Sequence, residues 1–397
     1  MKLNYHSDQD ITIKGISKAY HICIALLPVL CLINVPGINI SLGTVLLILF
    51  IPHALVAVFC CLNNGKPHIS SFFFIVFYLY MISRADGSVA RIVLCIAAYI
   101  NLLGVCCGSI KTERIRKIIE TFAIINSVLI IIQILSYYGF HYRIQYIPQT
   151  LIHREFKDSY VFRDLKGLYR PSALFLEPSH YAQYCCFALI SVLFPNNQKV
   201  DLKKAAIIGM GCILTTSGMG IALTFGIFVW YIIFSRASKD VKLFNILKWV
   251  PAIAIVIVVL LQIPFFQTAV QRVFSSVEGY NAIRGRTGQW SRAIGSMKGR
   301  ILWFGYGNSA SYPYYLAGLA DTIYKYGIVG VILQFLCFLY LMIKKVDNYV
   351  WCCCIVFILL FCFAHLTSFY VQVFYFGIVV ADAIRSNKRV HFRVRRV

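Results

Sequence analysis

The chain has 397 residues, of which 59% are hydrophobic and only 13% charged, against about 25% charged residues in soluble domains. Such a chain cannot cover itself with polar surface in water, so it reads as an all-α polytopic membrane protein with lipid as its solvent. The net charge of +23 is scattered through short segments between apolar runs. That pattern belongs to membrane topology and argues against nucleic acid as a partner.

The first 20 residues are polar and no small-residue cleavage site follows them promptly. The first apolar run therefore reads as an anchored span and not as a signal peptide. A spanning helix needs roughly 20 apolar residues. By that measure about twelve spans are expected, near 19–35, 38–62, 68–83, 88–110, 118–140, 173–194, 205–217, 218–235, 249–264, 321–343, 350–366 and 367–384. The ambiguous stretch is 205–234, too long for one span and short for two. Thr215, Thr216, Ser217, Gly218 and Gly220 favour a break in its middle. The expected organisation is an N-terminal bundle of five spans over 1–140 and a first outer loop over 141–172. Central spans follow over 173–264, then a second outer loop over 265–320, C-terminal spans over 321–384 and a basic cytoplasmic tail over 385–397.

Charge bias sets the orientation. Lys2, Lys14, Lys18, Lys66, Lys111, Arg114, Arg116, Lys117, Lys199, Lys203, Lys204, Arg236, Lys239, Lys242, Lys248, Lys344 and Lys345 all fall on one side. So do Arg385, Lys388, Arg389, Arg393, Arg395 and Arg396 of the tail. Both termini are thus expected in the cytoplasm, where an anionic leaflet attracts each cation by about 1 kcal/mol.

Two outer loops break this bias. The first holds Arg143, Arg154, Lys157, Arg163, Lys166 and Arg170; the second holds Arg272, Arg284, Arg286, Arg292, Lys298 and Arg300. Arginine outnumbers lysine in both, and its planar fork suits phosphate better than a point charge does. Basic outer loops also occur without a function, but the functional reading is an anionic ligand on the outer face. Aromatic residues interleave with these cations. Tyr142, Tyr146, Tyr160, Tyr169, Trp290, Trp303 and Tyr306 are candidates for stacking on sugar rings, whereas Tyr312, Tyr314 and Tyr315 fit an interfacial belt.

The most informative stretch runs from Arg170 through Glu177, Pro178 and His180 to Gln183. Pro178 suits the first turn of a helix, which puts Glu177 near a helix N-terminus at the membrane boundary. Helical spacing would set Glu177 and His180 on one face, with Arg170 joining them if the helix began early. An ionisable residue at membrane depth defaults to a functional hypothesis; the alternative is a capping carboxylate paired to a loop arginine.

Other features are weaker. Arg84, Asp86 and Arg91 are expected to pair with one another near an outer boundary. Asp321 and Lys325 have the spacing of an ordinary helical ion pair. His365 reads as a packing residue. The fifteen cysteines fall in apolar runs and read as small packing residues, with no spacing suited to a metal site. Neither Gly305-Tyr-Gly307 nor Gly218-Met-Gly220 sits in a βαβ unit, so no nucleotide loop is expected, and any glycosyl donor would be lipid-linked.

Three blocks together resemble the Wzy-type O-antigen and capsular repeat-unit polymerases, with the related O-antigen ligases. RPSALFLEPSHYAQY at 170–184 is similar to the segment after the first large periplasmic loop of that family. ILTTSGMGIAL at 213–223 is similar to the Ser-Arg-Gly region that opens the ligase/polymerase domain, although Gly218 stands where arginine is common. The block from Arg284 to Gly330 ends in TIYKYGIVGVIL, like the closing Gly-x-x-Gly helix. Arg284 and Gly295 fit the family's arginine–glycine spacing in the second loop, and the first loop has no match. The ligases place a histidine before the closing helix; SASYPYYLAGLAD has none, which favours polymerase over ligase.

The resemblance implies a C-type glycosyltransferase-like fold in the bacterial cytoplasmic membrane. It implies polymerisation of undecaprenyl-diphosphate-linked oligosaccharide repeat units on the outer face, without metal or other cofactor. Glu177 would be the general base, with His180 as its partner or alternative. Arg170, Arg284, Arg286 and Arg292 would stabilise the diphosphate leaving group. Arg163, Tyr169 and Trp290 would help to hold the substrate. The implied partners are the lipid bilayer, the lipid-linked oligosaccharide, a chain-length regulator and a flippase. A transporter of lipid-linked oligosaccharide is the competing reading; it would show paired halves with interrupted helices, and no internal repeat is visible.

Overall fold

A computed structural model describes residues 8–38, 40–64, 69–84, 89–107, 111–152, 169–195, 200–234, 287–314, 316, 318–344 and 348–363, with 258, 262, 267, 271, 374 and 377 as single positions. These residues are all-helical apart from connections. The helices are α1 (Asp8–Leu30), α2 (Leu42–Leu49), α3 (Ile51–Asn64), α4 (Ile69–Ser83), α5 (Val89–Cys106) and α6 (Thr112–Phe140). Then come α7 (Pro178–Leu193), α8 (Leu202–Leu214), α9 (Gly218–Phe234), α10 (Trp290–Gly295), α11 (Arg300–Phe304), α12 (Leu319–Lys344) and α13 (Asn348–Phe363). Among the described residues extended pairing is limited to the isolated bridges Ile33–Ile152 and Asn34–Ser41.

Two helices are long and apolar enough to cross a membrane, α6 over Glu113–Phe140 and α12 over Leu319–Tyr340. The pair α2–α3, bent by 41°, makes a third when taken as one span. Shorter apolar helices lie at Ser17–Leu30, Ile92–Cys106, Gly218–Phe234 and Asn348–Cys362. The expected runs at 249–264 and 367–384, and the tail at 385–397, lie outside the described residues. The remaining runs fall on helix over most of their described length, although α1 ends at Leu30, short of 35, and the run at 321–343 is interrupted at Gly327. The run expected from residue 173 is helical only from Pro178. The run at 38–62 is divided, because α2 ends at Leu49 and α3 starts at Ile51 in a new direction.

The centre of the bundle is α7. Every residue of it except His180 is buried, and it carries no charged side chain. A helix apolar all round has to be enclosed, and α6, α8, α9, α13 and α1 enclose this one. Its direction is fixed by polar contacts with α6. Ser191 Oγ donates to Glu120 Oε1 at 2.6 Å near one end, and Ser127 Oγ pairs with the Tyr181 hydroxyl at 2.8 Å further along. The two helices therefore run antiparallel.

The same reasoning sorts the connections between two ends of the bundle. At one end the Lys111 N–H donates to His21 Nε2 at 2.7 Å, the Arg116 guanidinium lies 3.7 Å from the Tyr349 ring centre, and Asn348 Nδ2 reaches the Phe234 carbonyl. Lys111, Arg114, Lys117, Lys203 and Lys204 are exposed around it. At the opposite end Ile33 meets Ile152, and residues 141–152 lie beside 169–177. Among the described residues Lys111, Arg114, Lys117, Lys203 and Lys204 thus share one end, and residues 141–152 and 169–177 lie at the other.

The stretch 205–234 does break. Thr215, Thr216 and Ser217 turn the chain between α8 and α9, which pack back to back through Gly209 against Phe228 and Thr224. At 1.5 Å per residue α8 is about 20 Å long, short of the roughly 30 Å hydrocarbon core. All three turn residues are buried.

Candidate functional site

The described candidate residues fall into two groups, each built on a different helix. The first is the strap 169–177 leading into α7. It is not helical, so Arg170 does not join Glu177 by helical spacing. Buried amide side chains of α6 hold the strap instead. Gln133 Oε1 accepts the Ala173 N–H at 3.0 Å, while Gln133 Nε2 donates to the Ile144 carbonyl at 3.0 Å. Asn126 Oδ1 accepts the Leu174 N–H at 3.2 Å. Gln133 thereby ties both sides of the first outer loop to one helix. Ala173 occupies the left-handed region at φ 51°, which costs a residue with a Cβ roughly 1–2 kcal/mol; the side-chain bonds help to offset that strain.

Apolar side chains seat the same strap. Phe175 enters an aromatic cluster with Phe122, Tyr181 and Tyr184. Leu176 packs with Cys31, Leu32, Ile147 and Ile152. Tyr169 is fully buried and stacks on Tyr137 with ring centres 4.5 Å apart, and Arg143 lies 5.6 Å from the Tyr137 centre. Tyr169 is therefore a packing residue of the strap and offers no open face to a sugar, contrary to the expectation from sequence. Its place among loop cations suggested a surface role; the α6 ring beside it takes its stacking face.

Glu177 is the N-cap residue of α7, in extended conformation at φ −131° and ψ 148°, with Pro178 in the first turn. Its carboxylate does not bond the backbone of that turn. Instead Ser179 Oγ donates to Glu177 Oε2 at 3.1 Å. This is not the capping geometry considered from sequence. It leaves an anionic group at the positive end of a buried helix, where it is favoured electrostatically. The His180 N–H donates to the Glu177 carbonyl at 3.0 Å, so both residues share the first turn. Glu177, His180 and Arg170 are each half-buried in a neighbourhood that is otherwise closed.

The tip of the α8–α9 hairpin flanks this turn. Gly211 lies against Tyr181 and Ser127, and Gly220 against Ala182. Thr216 has φ 52°, and its Oγ1 is buried with no hydrogen-bond partner among the described residues.

The second group lies on α10. Trp290 is half-buried and packs with Ile294, Tyr312 and Tyr324 around Ala293, Leu316 and Ala320. Arg292 is exposed in the last turn. This group rests on α12, whereas the strap rests on α6. Arg163, Arg284 and Arg286 lie outside the described residues, as do Asp86 and His365.

Behind α10 the chain is locked to α12 by a backbone contact that sequence reasoning missed. Helix α12 is broken at Gly327, with φ 68°. The break exposes carbonyls, and the Tyr306 and Gly307 N–H groups donate to Tyr324 and Lys325 at 2.9 and 3.0 Å. The Tyr80 hydroxyl of α4 bonds the Tyr326 and Phe304 carbonyls, and Arg84 Nη2 donates to the Gly305 carbonyl at 2.6 Å. Arg84 thus serves the segment between α11 and α12. The expected Asp321–Lys325 pair forms at 3.0 Å, and Asp321 is buried. The only advance signals were Tyr80 and Arg84 at helical spacing, and Asn126 and Gln133 seven apart within an apolar run.

Among the described residues no three His, Cys, Asp or Glu side chains gather as a metal site. No family model and no curated protein matches this chain.

Proposed function

We propose that this protein is a membrane glycosyltransferase that polymerises undecaprenyl-diphosphate-linked oligosaccharide repeat units on the outer face of the bacterial cytoplasmic membrane. The product would be an O-antigen, a capsule or an exopolysaccharide. The observation that carries this reading is Glu177. It stands half-buried with His180 on the first turn of the central helix, at the end of the bundle away from Lys111, Lys117, Lys203 and Lys204. In the proposed reaction Glu177 takes the proton of the attacking sugar hydroxyl. That oxygen bonds to C1 of the donor sugar as the C1–O bond to the diphosphate breaks. Arg170, Arg284, Arg286 and Arg292 stabilise the departing diphosphate, and Trp290 flanks the glycan. The full architecture of this reading has about twelve spans and both termini in the cytoplasm. A chain-length regulator and a flippase would work beside it.

Complementation of a deletion strain tests this. Glu177→Gln and Arg284→Ala should each abolish long-chain polymer and leave single repeat units on the lipid core. Normal polymer from both variants would overturn the site assignment.

The transporter reading gains one specific observation, the interrupted α12 at Gly327, since broken helices line the sites of many transporters. Accumulation of lipid-linked units on the cytoplasmic side of the deletion strain would favour it over polymerisation. Loss of transfer to the lipid core, with polymer still made on its lipid carrier, would mark a ligase.

A further inference from the structure

Residues 298–306 turn an apolar ridge outwards. Ile301 is 39% exposed, Trp303 51%, Phe304 41% and Tyr306 41%. Lys298 and Arg300 at its start are exposed as well. A contiguous aromatic surface of this kind marks an interaction site on most proteins. Its position decides which kind.

The ridge sits where α4 ends. Tyr80 bonds the Phe304 carbonyl at 3.1 Å, and Arg84 bonds that of Gly305. Both neighbouring helices also expose apolar side chains, Leu79 at 60% on α4 and Ile332 at 47% beyond the break in α12. On its other side the ridge cannot sink into the bundle, because Gly305 already lies against the Lys325–Tyr326 backbone and Gly327 against that of Trp303 and Phe304. A Cβ on Gly305 would lie 2.3 Å from the Lys325 carbonyl oxygen, and one on Gly327 would lie 2.2 Å from that of Trp303.

We propose that α11 is an interfacial anchor, seated in the headgroup region of the outer leaflet, with Lys298 and Arg300 on anionic phospholipid headgroups. Tryptophan and tyrosine favour that depth, and basic side chains beside them extend to lipid phosphate. The anchor holds the second outer loop at the level where a lipid-linked diphosphate lies, with Arg292 one short turn away in sequence. The proposal rests on the membrane-spanning reading of the chain, with this end of the bundle on the outer side.

The test uses the full-length protein in phosphatidylcholine vesicles, with and without phosphatidylglycerol. A fluorescent amino acid is installed by amber suppression at position 303 and, in a second variant, at position 301. Nitroxide lipids carry the quencher at the headgroup, at a shallow acyl carbon or at a deep one. Both probes should be quenched most by the headgroup and shallow labels. Phosphatidylglycerol should increase that quenching, and Lys298→Gln with Arg300→Gln should remove the increase. A third probe at Val128, 46% exposed on α6, should respond to the deep label. Failure at position 128 would overturn the spanning reading and the anchor with it. Quenching at 128 without quenching at 301 and 303 would overturn the anchor alone, as would shielding of 303 by soluble oligosaccharide and not by lipid. Equal quenching with and without phosphatidylglycerol would remove the headgroup-charge part of the proposal.

Discussion

Gln133 of α6 accepts the backbone N–H of Ala173 through its side-chain oxygen, at 3.0 Å, and so fixes the strap that delivers Glu177 to the start of α7. Nothing else in the fold shows so directly how a polar residue inside an apolar helix can serve a site some residues away. Gln133→Leu leaves the Ala173 N–H buried and unpaired, at a cost of about 1–3 kcal/mol. A thermal melt in detergent should show the loss. Asn126→Leu should act in the same direction through Leu174. Polymer formation should fall in both variants even though neither residue belongs to the proposed reaction.

The close backbone packing of Gly305 on Lys325 and of Gly327 on Trp303 makes a sharper prediction. A side chain at either position meets backbone carbonyl, which cannot move aside as a flexible side chain can. Both residues also have positive φ, disfavoured for alanine by about 1–2 kcal/mol. Gly305→Ala and Gly327→Ala should each lower the melting temperature markedly. Gly226→Ala on α9, where a Cβ meets nothing within 4 Å, should be tolerated.

Tyr80 and Arg84 clamp the same region from α4. Tyr80→Phe removes the hydroxyl that bonds the Tyr326 and Phe304 carbonyls, and about 1–3 kcal/mol of stability should go with it. Limited proteolysis should then cut within 298–312 sooner than in the unmodified protein. Arg84→Ala should produce the same pattern of cleavage, and unchanged cleavage in both would show that the clamp is not what holds the loop.

His21 is buried between α1 and α6. Its Nε2 accepts the Lys111 N–H at 2.7 Å, while Nδ1 faces the Ser17 carbonyl. Only one tautomer meets both demands, the neutral ring with its proton on Nδ1. Nitrogen-15 spectroscopy of the labelled protein in lipid should find that form at neutral pH. His21→Phe should loosen the start of α6 from the body of α1, seen as faster amide exchange at residues 111–115.

Asp201 caps α8, and its carboxyl is held below the usual aspartate range, first by the Lys204 N–H and then by the Lys204 ammonium group beside it. A carboxyl lowered in the folded state stabilises above its ordinary pKa and loses that contribution as pH falls through the lowered value. Amide protection in the first turn of α8, taken relative to the intrinsic exchange rate at each pH, should therefore fall on acidification below about pH 4. Asp201→Ala should lower that protection at every pH and remove its dependence on acidification.

Much of this was legible in the residues alone. Apolar length and the scarcity of charge identify a helical membrane chain because backbone groups in lipid must be satisfied within each helix. Thr215-Thr216-Ser217-Gly218 marked a break, and the structure turns there. Glu177-Pro178 marked a helix start, because proline is favoured in the first turn, where its missing N–H costs nothing. What the linear pattern lacked was partnership. Tyr169 stood among loop cations and became a packing residue, because its partner Tyr137 lies on a helix far away in sequence. Arg84 stood beside Asp86, which lies outside the described residues, and Arg91, and its Nη2 reaches the Gly305 carbonyl. Asn126 and Gln133 are polar letters in an apolar run until the strap lies across them, and Gly327 becomes necessary only when the Trp303–Phe304 backbone occupies the space beside it. Composition and periodicity act through local chain physics and through the solvent, which every residue meets by itself. Which side chain satisfies which buried amide, and where two backbones touch, depends on distances between remote segments, and those exist only once the helices have packed.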